Sequence, residues 1–251
     1  MTVANESGPN RGMAVVVLPA RGGSKRFPRK NIAPLAGRPL LAYPILAALK
    51  AKTIDGVYVS TEDDEIASVA KQWGASVPFR RPADLAGDQV TADAAVSDML
   101  RRLREEQGLA IDIVVLIQPT SPFITAAHID AAVTRLREEP ELDSVTTMTE
   151  LDHRHHPYNL AFPEAGGRWE FISAAERKSA RTRQSKPVAL KFGNLFAARC
   201  ETMLNEGRFG KVKGSVLIDL IYSWDIDYAW ELHAAESLIA GKFVDLPHLL
   251  P

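Results

Sequence analysis

The chain has a single cysteine, Cys200. That excludes an internal disulfide and a multi-cysteine metal cage, and it suits a reducing compartment such as the cytoplasm. No apolar run approaches the roughly 20 residues that a membrane-spanning helix needs; the stretch from Met13 to Ala20 is strand-length only. Neither sign of charge is in excess: 30 Lys and Arg stand against 31 Asp and Glu without a long basic run, which leaves no nucleic-acid footprint, so any positive field must be local. Met1 to Gly12 lacks an apolar centre and is expected to be a disordered tail, neither a signal peptide nor an anchor. His153, Arg154, His155 and His156 stand beside Pro157 in an irregular segment without cysteine or HExxH context, so they are not read as a metal site.

With 251 residues and 46% hydrophobic content, the chain can bury one main core with an inserted subdomain. Val15 to Leu18 reads as a buried parallel strand ended by Pro19. A helix is expected from Pro39 to Lys50, with Leu40, Leu41, Ile45, Leu46 and Leu49 on its apolar side, then a strand through Val57 to Val59. Thr61 is expected to cap a helix over Asp64 to Trp73, stopped by Gly74. Thr91 to Gln107 and Thr125 to Glu139 read as helices, and Ile111 to Ile117 and Ser144 to Met148 as strands. This alternation predicts an α/β fold with a mostly parallel, doubly wound sheet. From Leu151 to Pro187 the pattern breaks into His, Arg, Pro, Gly and aromatics, which predicts a hairpin or irregular insertion. Regularity returns at Val188 to Ala198, in a strand at Ser215 to Asp219, and in a helix over Asp227 to Ala240.

Two places carry chemistry. The segment from Pro19 to Asn31 sets Gly22, Gly23 and five basic residues directly after a buried strand. There, in open α/β sheets, backbone N–H groups approach phosphate oxygens. It matches neither the GxxxxGK[ST] phosphate loop nor the GxGxxG fingerprint. Asp225 and Asp227, two apart, share one face of an extended segment and can converge on one magnesium or manganese ion. Asp227 capping the following helix is the alternative, and the two roles can coexist.

At the glycine-rich loop the sequence resembles the acylneuraminate (CMP-sialic acid) synthetase family, which also includes legionaminic and pseudaminic acid cytidylyltransferases. Its P-A-R-x-x-S-K and K-N signatures fall in register on Arg21, Ser24, Lys25, Lys30 and Asn31. The likeness continues in order through Val59-Ser60-Thr61, Arg81 to Asp88, Leu116 to Pro122, and Trp224 to Asp227. It implies a Rossmann-like nucleotidyltransferase fold, CTP as donor, an acidic α-keto sugar as acceptor, and a homodimer. Residues 13–251 would form the catalytic domain, with 151–187 as an exchanged dimer arm.

The resemblance also implies roles. Arg21, Lys25, Lys30 and Arg183 would neutralise the phosphates in catalysis. Ala20, Arg21, Gly22, Ser24, Asn31, Arg81, Asp88 and Thr91 would bind the nucleotide, although Arg81 pairing with Asp84 as a loop staple is the alternative. Gln118, Thr120, Ser121, Gln184 and Lys191 would face the sugar. The family's R-x-N-G is replaced here by Lys191-Phe192-Gly193-Asn194. The implied reaction joins CMP to a sialic-acid-like nonulosonic sugar with loss of pyrophosphate. The alternatives are a Kdo or pseudaminic acid enzyme, a glycosyltransferase using Asp225-Ile226-Asp227 as a DxD motif, or a silent nucleotide-binding module.

Overall fold

The computed structural model describes residues 12–180 and 182–249; the expected tail up to residue 11, and Arg181, lie outside the described residues. The chain opens with β1 (Met13–Pro19) and passes through a two-stranded ribbon, β2 (Pro34–Leu35) and β3 (Arg38–Pro39), into α1 (Ala42–Lys50) and β4 (Gly56–Ser60). There follow α2 (Asp64–Gln72), α3 (Ala92–Gln107), β5 (Ile111–Ile117), α4 (Ala126–Glu138) and β6 (Ser144–Glu150). The expected insertion holds the hairpin β7 (Ala161–Pro163) and β8 (Trp169–Phe171), then α5 (Ala174–Ser179). The remaining elements are β9 (Leu190–Arg199), α6 (Cys200–Asn205), β10 (Lys213–Leu217) and α7 (Ala229–Ala240).

Six strands form one sheet in the order β10-β6-β9-β5-β1-β4. Only β9 runs antiparallel to its neighbours. Because strand side chains alternate, Val15 and Val17 pack with Val96, Leu100 and Leu103 of α3, while Val16 and Leu18 pack on the other face with Ile45 of α1 and Val133 of α4. Burial on both faces explains the unbroken β-branched run. A third cluster, with Tyr43, Phe123, Ile226 and Leu232, seats α7 beside the ends of the strands.

Two local expectations change. The cap of α2 is Asp63, whose carboxylate accepts from Ile66 N–H at 2.9 Å, whereas Thr61 Oγ1 accepts from Asp63 N–H at 3.1 Å. Leu49, placed on the apolar side of α1 by periodicity, is 47% exposed in its last turn. Gly193 is required where it stands: a Cβ there would run into Thr147 at the register shift between β6 and β9. That packing accounts for a glycine preceding Asn194.

In the insertion, His156 donates from Nε2 to the Pro187 carbonyl, 3.0 Å away, and accepts from Tyr158 N–H at Nδ1, so it ties the two ends of the segment together. Arg177 is committed to holding α5. It donates to the Tyr158 carbonyl at 2.9 Å and to Asn159 Oδ1 at 2.6 Å, and its guanidinium lies 4.2 Å over the Phe171 ring. Phe162 and Trp169 are 65% and 58% exposed, a cost that a small two-stranded ribbon cannot offset alone.

The C-terminal turn buries His248, with neither ring nitrogen hydrogen-bonded. Burial pulls its pKa down to about 4, aided by Arg38 and His128 and opposed by Asp245. The unfolded chain therefore takes up this proton first as pH falls. Stability from this group is full above about pH 6.5 and is lost between there and about pH 4, by up to about 3 kcal/mol. The expected result is a Tm that drops on acidification through this window, with a shallower drop in His248→Phe; parallel Tm–pH curves for the two proteins would refute it.

Candidate active site

The carboxyl ends of β1 and β5 meet the segment before α7 around a cavity of about 250 Å³. Arg21, Ser24, Lys30 and Asn31 line it from the glycine-rich loop, Gln118 and Thr120 from the turn after β5, and Asp225 and Asp227 from the far wall. Lys30 and Asp227, 197 apart in sequence, are thus brought together at the edge where open α/β sheets bind ligands.

The two basic ends of the loop differ. Lys30 is well enclosed, its side chain 14% exposed, and its Nζ donates to Asp227 Oδ1 at 2.7 Å. Lys25 is 82% exposed at the loop tip and pairs with Asp88, which also accepts from Arg21 at 3.0 Å. These cations hold the Asp88 carboxyl below its usual range, the Lys25 contact foremost. Arg26 reaches within 3.8 Å of Asp227. Four cations of the loop therefore share two carboxylates, which leaves a local positive surplus suited to a polyanion.

On the acidic wall, burial raises the Asp225 carboxyl, and repulsion from Asp227 adds to the effect; a hydrogen bond from Thr120 and the charge of Lys30 oppose it. Asp225 is exposed at the cavity mouth and Asp227 partly so, and two neighbouring carboxylates that repel one another fit a cation between them. Among the described residues no group of three or more His, Cys, Asp or Glu side chains is placed to hold a metal. A pair of carboxylates leaves most positions to water and phosphate oxygens, the shell magnesium commonly takes. Asp227 does not cap α7: Tyr228 stands at that position, and the Glu231 carboxylate accepts from Asp227 N–H at 2.6 Å and Tyr228 N–H at 2.9 Å.

Several anticipated contacts are taken up by the protein itself. Ala20 is fully buried, and its N–H bonds the Ser60 carbonyl. The Gly22 N–H, anticipated as a phosphate donor, goes to Glu62 Oε1 at 2.7 Å. Asn31 Nδ2 clips the Arg21 carbonyl at 2.9 Å. Arg81 is 6% exposed and binds Ser60, with Glu62 at 4.0 Å, so the alternative pairing with Asp84 is not formed. Thr91 caps α3. Thr120 serves Asp225, and Ser121 is fully buried beneath the turn. Arg183 lies outside the central cavity, in a separate recess with Asp152, His153 and Lys186, and Gln184 is exposed beside it. Lys191 lines a larger cleft of about 820 Å³ that adjoins Asp225 and is walled by Leu220, Ile221, Trp224 and Trp230.

Two positioning groups were missed in the sequence. Asn194 Nδ2 donates to the Ser223 carbonyl at 3.2 Å and the Trp224 carbonyl at 2.9 Å, fixing the backbone just ahead of Asp225. Glu231 fixes it just behind; its spacing three residues after the cap position is a legible capping-box signal.

Comparison with known proteins gives a family model described as cytidylyltransferase, matching residues 15–161. The chain is 47% identical over 109 residues to the CMP-N,N'-diacetyllegionaminic acid synthase of Legionella pneumophila, covering 43% of this chain and 47% of that one. It is 36% identical over 154 residues to the N-acylneuraminate cytidylyltransferase of Oncorhynchus mykiss, covering 61% of this chain and 33% of that one. The chain thus spans half or less of the length of these curated relatives. A solved structure of CMP:2-keto-3-deoxy-manno-octonic acid synthetase complexed with CTP shares the fold, with a TM-score of 0.70 at 16% identity over 92% of this chain and 100% of that one. Among the described residues no helix is long and apolar enough to cross a membrane.

Proposed function

This chain belongs to the cytidylyltransferase family, and from that premise we propose that it transfers CMP from CTP to the anomeric hydroxyl of an acidic, sialic-acid-like nonulosonic sugar, releasing pyrophosphate. The observation that carries the reading is the cavity in which Arg21 and Lys30 oppose Asp225 and Asp227. The sugar hydroxyl attacks the α-phosphorus and gives up its proton to solvent; the new P–O bond forms as the bond to the bridging oxygen of the β-phosphate breaks, and pyrophosphate departs with that electron pair. No covalent bond to the protein is required. Arg21 and Lys30, with Lys25 closing from the loop tip, take up the charge that builds on the leaving group, and the walls hold the reactants in line. Asp225 and Asp227 would hold magnesium, or manganese in its place, which supplies further charge neutralisation on the phosphates when bound.

The cleft beside Asp225 supports an N-acylated acceptor over a bare polyol such as Kdo. Lys191 offers a cation for a carboxylate, and Trp224, Trp230 and Leu220 offer apolar surface for acyl groups. The exposed Phe162 and Trp169 support a homodimer in which the arm at 151–187 is covered by a second copy. With Arg177 committed inside the arm, exposed Arg183 is the better placed basic group to reach a partner's site. Use of CTP and the single cysteine support a cytoplasmic location.

One experiment tests these points together. Pyrophosphate release is measured with CTP and a panel of N-acylneuraminic, legionaminic, pseudaminic and Kdo acids, and solution mass is read on the same preparation. Release with an N-acylated acid by a dimer is expected. Release with Kdo alone would overturn the acceptor class, no release with any acid would overturn the reaction, and an active monomer would overturn the dimer.

A further inference from the structure

We propose that Glu62 and Asp63, in the turn between β4 and α2, are positioning residues that clamp the glycine-rich loop at both ends; this rests on the loop being the phosphate site of the reading above. At the loop entrance Glu62 Oε1 accepts the Gly22 N–H at 2.7 Å. Its other carboxylate oxygen is buried without a hydrogen bond and faces the Arg81 guanidinium at 4.0 Å. At the loop exit Arg29 forks onto Asp63 at 2.5 and 3.2 Å and also contacts Glu65.

The entrance leaves no room for a side chain, and the exit holds its arginine by an ion pair. A Cβ on Gly22 would lie 2.7 Å from Asp63 Oδ2, so glycine is what lets the loop lie against the turn. Arg29 sits in the left-handed region at φ 59°, a conformation disfavoured for arginine, and its two-pronged ion pair holds it there one residue before Lys30. Between the clamps Gly23 has open space around it and Lys25 is 82% exposed. Arg21 and Lys30, next to the clamped residues, are thereby held on the cavity, while the tip carrying Lys25 is left to close.

Charge argues for positioning and against direct contact. Carboxylates facing a triphosphate would repel it, but here each is turned onto an arginine or a backbone N–H. Electrostatic stabilisation depends on groups being in place before charge develops, so loosening the clamp should weaken the nucleotide end of the reaction and leave the sugar end alone.

The test uses the full chain and CTP-dependent pyrophosphate release. Glu62→Ala is expected to raise the KM for CTP about tenfold or more, the scale of a lost charge-assisted hydrogen bond. The KM for the acceptor should be unchanged. Glu62→Gln, whose carbonyl can still accept from Gly22, should recover most of the loss, and Arg29→Ala should lower kcat by displacing Lys30. Binding of inorganic tripolyphosphate by calorimetry separates this inference from the proposed reaction. A wild-type protein that binds tripolyphosphate but releases no pyrophosphate overturns the reaction, and the clamp is then judged by whether Glu62→Ala weakens that binding about tenfold. A folded Glu62→Ala protein with wild-type CTP kinetics, a Gln variant as impaired as Ala, or a wild-type protein that binds no tripolyphosphate overturns the clamp.

Discussion

Lys30→Ala is expected to lower turnover about thirtyfold to a thousandfold in a protein that still folds, equivalent to roughly 2–4 kcal/mol of lost stabilisation of developing charge. Lys30 has the position for this. Its side chain is 14% exposed, its Nζ lies 2.7 Å from Asp227, and it lines the same cavity as Arg21 and Asp225. Removing it leaves Asp227, among the described residues, with the more distant Arg26 as its cation, at 3.8 Å, and brings uncompensated negative charge toward the phosphates. The sequence weighted Lys25 and Lys30 alike, whereas the structure ranks them: Lys25 is 82% exposed and tied to Asp88, so Lys25→Ala should cost less. Steady-state pyrophosphate release on both variants, with circular dichroism to confirm folding, checks the ranking. A folded Lys30→Ala protein with wild-type turnover would remove the phosphate assignment altogether.

Chelator is expected to abolish activity and magnesium or manganese to restore it, and Asp225→Asn should raise the half-saturating magnesium concentration by roughly tenfold or more. The reason lies in the wall of the cavity. Burial, and then Asp227, already disfavour the Asp225 carboxylate, with the Thr120 hydrogen bond working the other way. Two like charges held side by side are intelligible if a cation binds between them. Asparagine keeps the shape and an oxygen that can accept from Thr120, but removes the repulsion. The Tm of Asp225→Asn should therefore hold or rise while the metal requirement worsens, a combination that unfolding cannot mimic. Full activity in excess chelator, or an Asn variant with the wild-type magnesium requirement, would refute the assignment.

Much of this was determined locally and so could be read in the chain. The β-branched runs of β1 and β5 declared buried strands because both faces are covered. The glycines and cations after Pro19 marked a basic loop at the end of β1, the spacing of Asp225 and Asp227 placed both on one wall of the cavity, and the loss of periodicity after Leu151 marked a segment that holds a short hairpin. Each is a pattern written within a few residues, where side-chain direction follows from backbone geometry alone. Which groups spend their hydrogen bonds on one another was decided only by tertiary structure. Gly22 and Glu62 are 40 residues apart, Asn194 and Trp224 are 30 apart, and Lys30 and Asp227 are 197 apart. Nothing local sets such partners. They follow from strand order, above all from antiparallel β9 entering between β5 and β6, and from the requirement that buried polar groups be paired. That requirement turned Gly22, Asn31 and Arg81 from presumed free ligand contacts into parts of the frame and bound Arg177 within the arm.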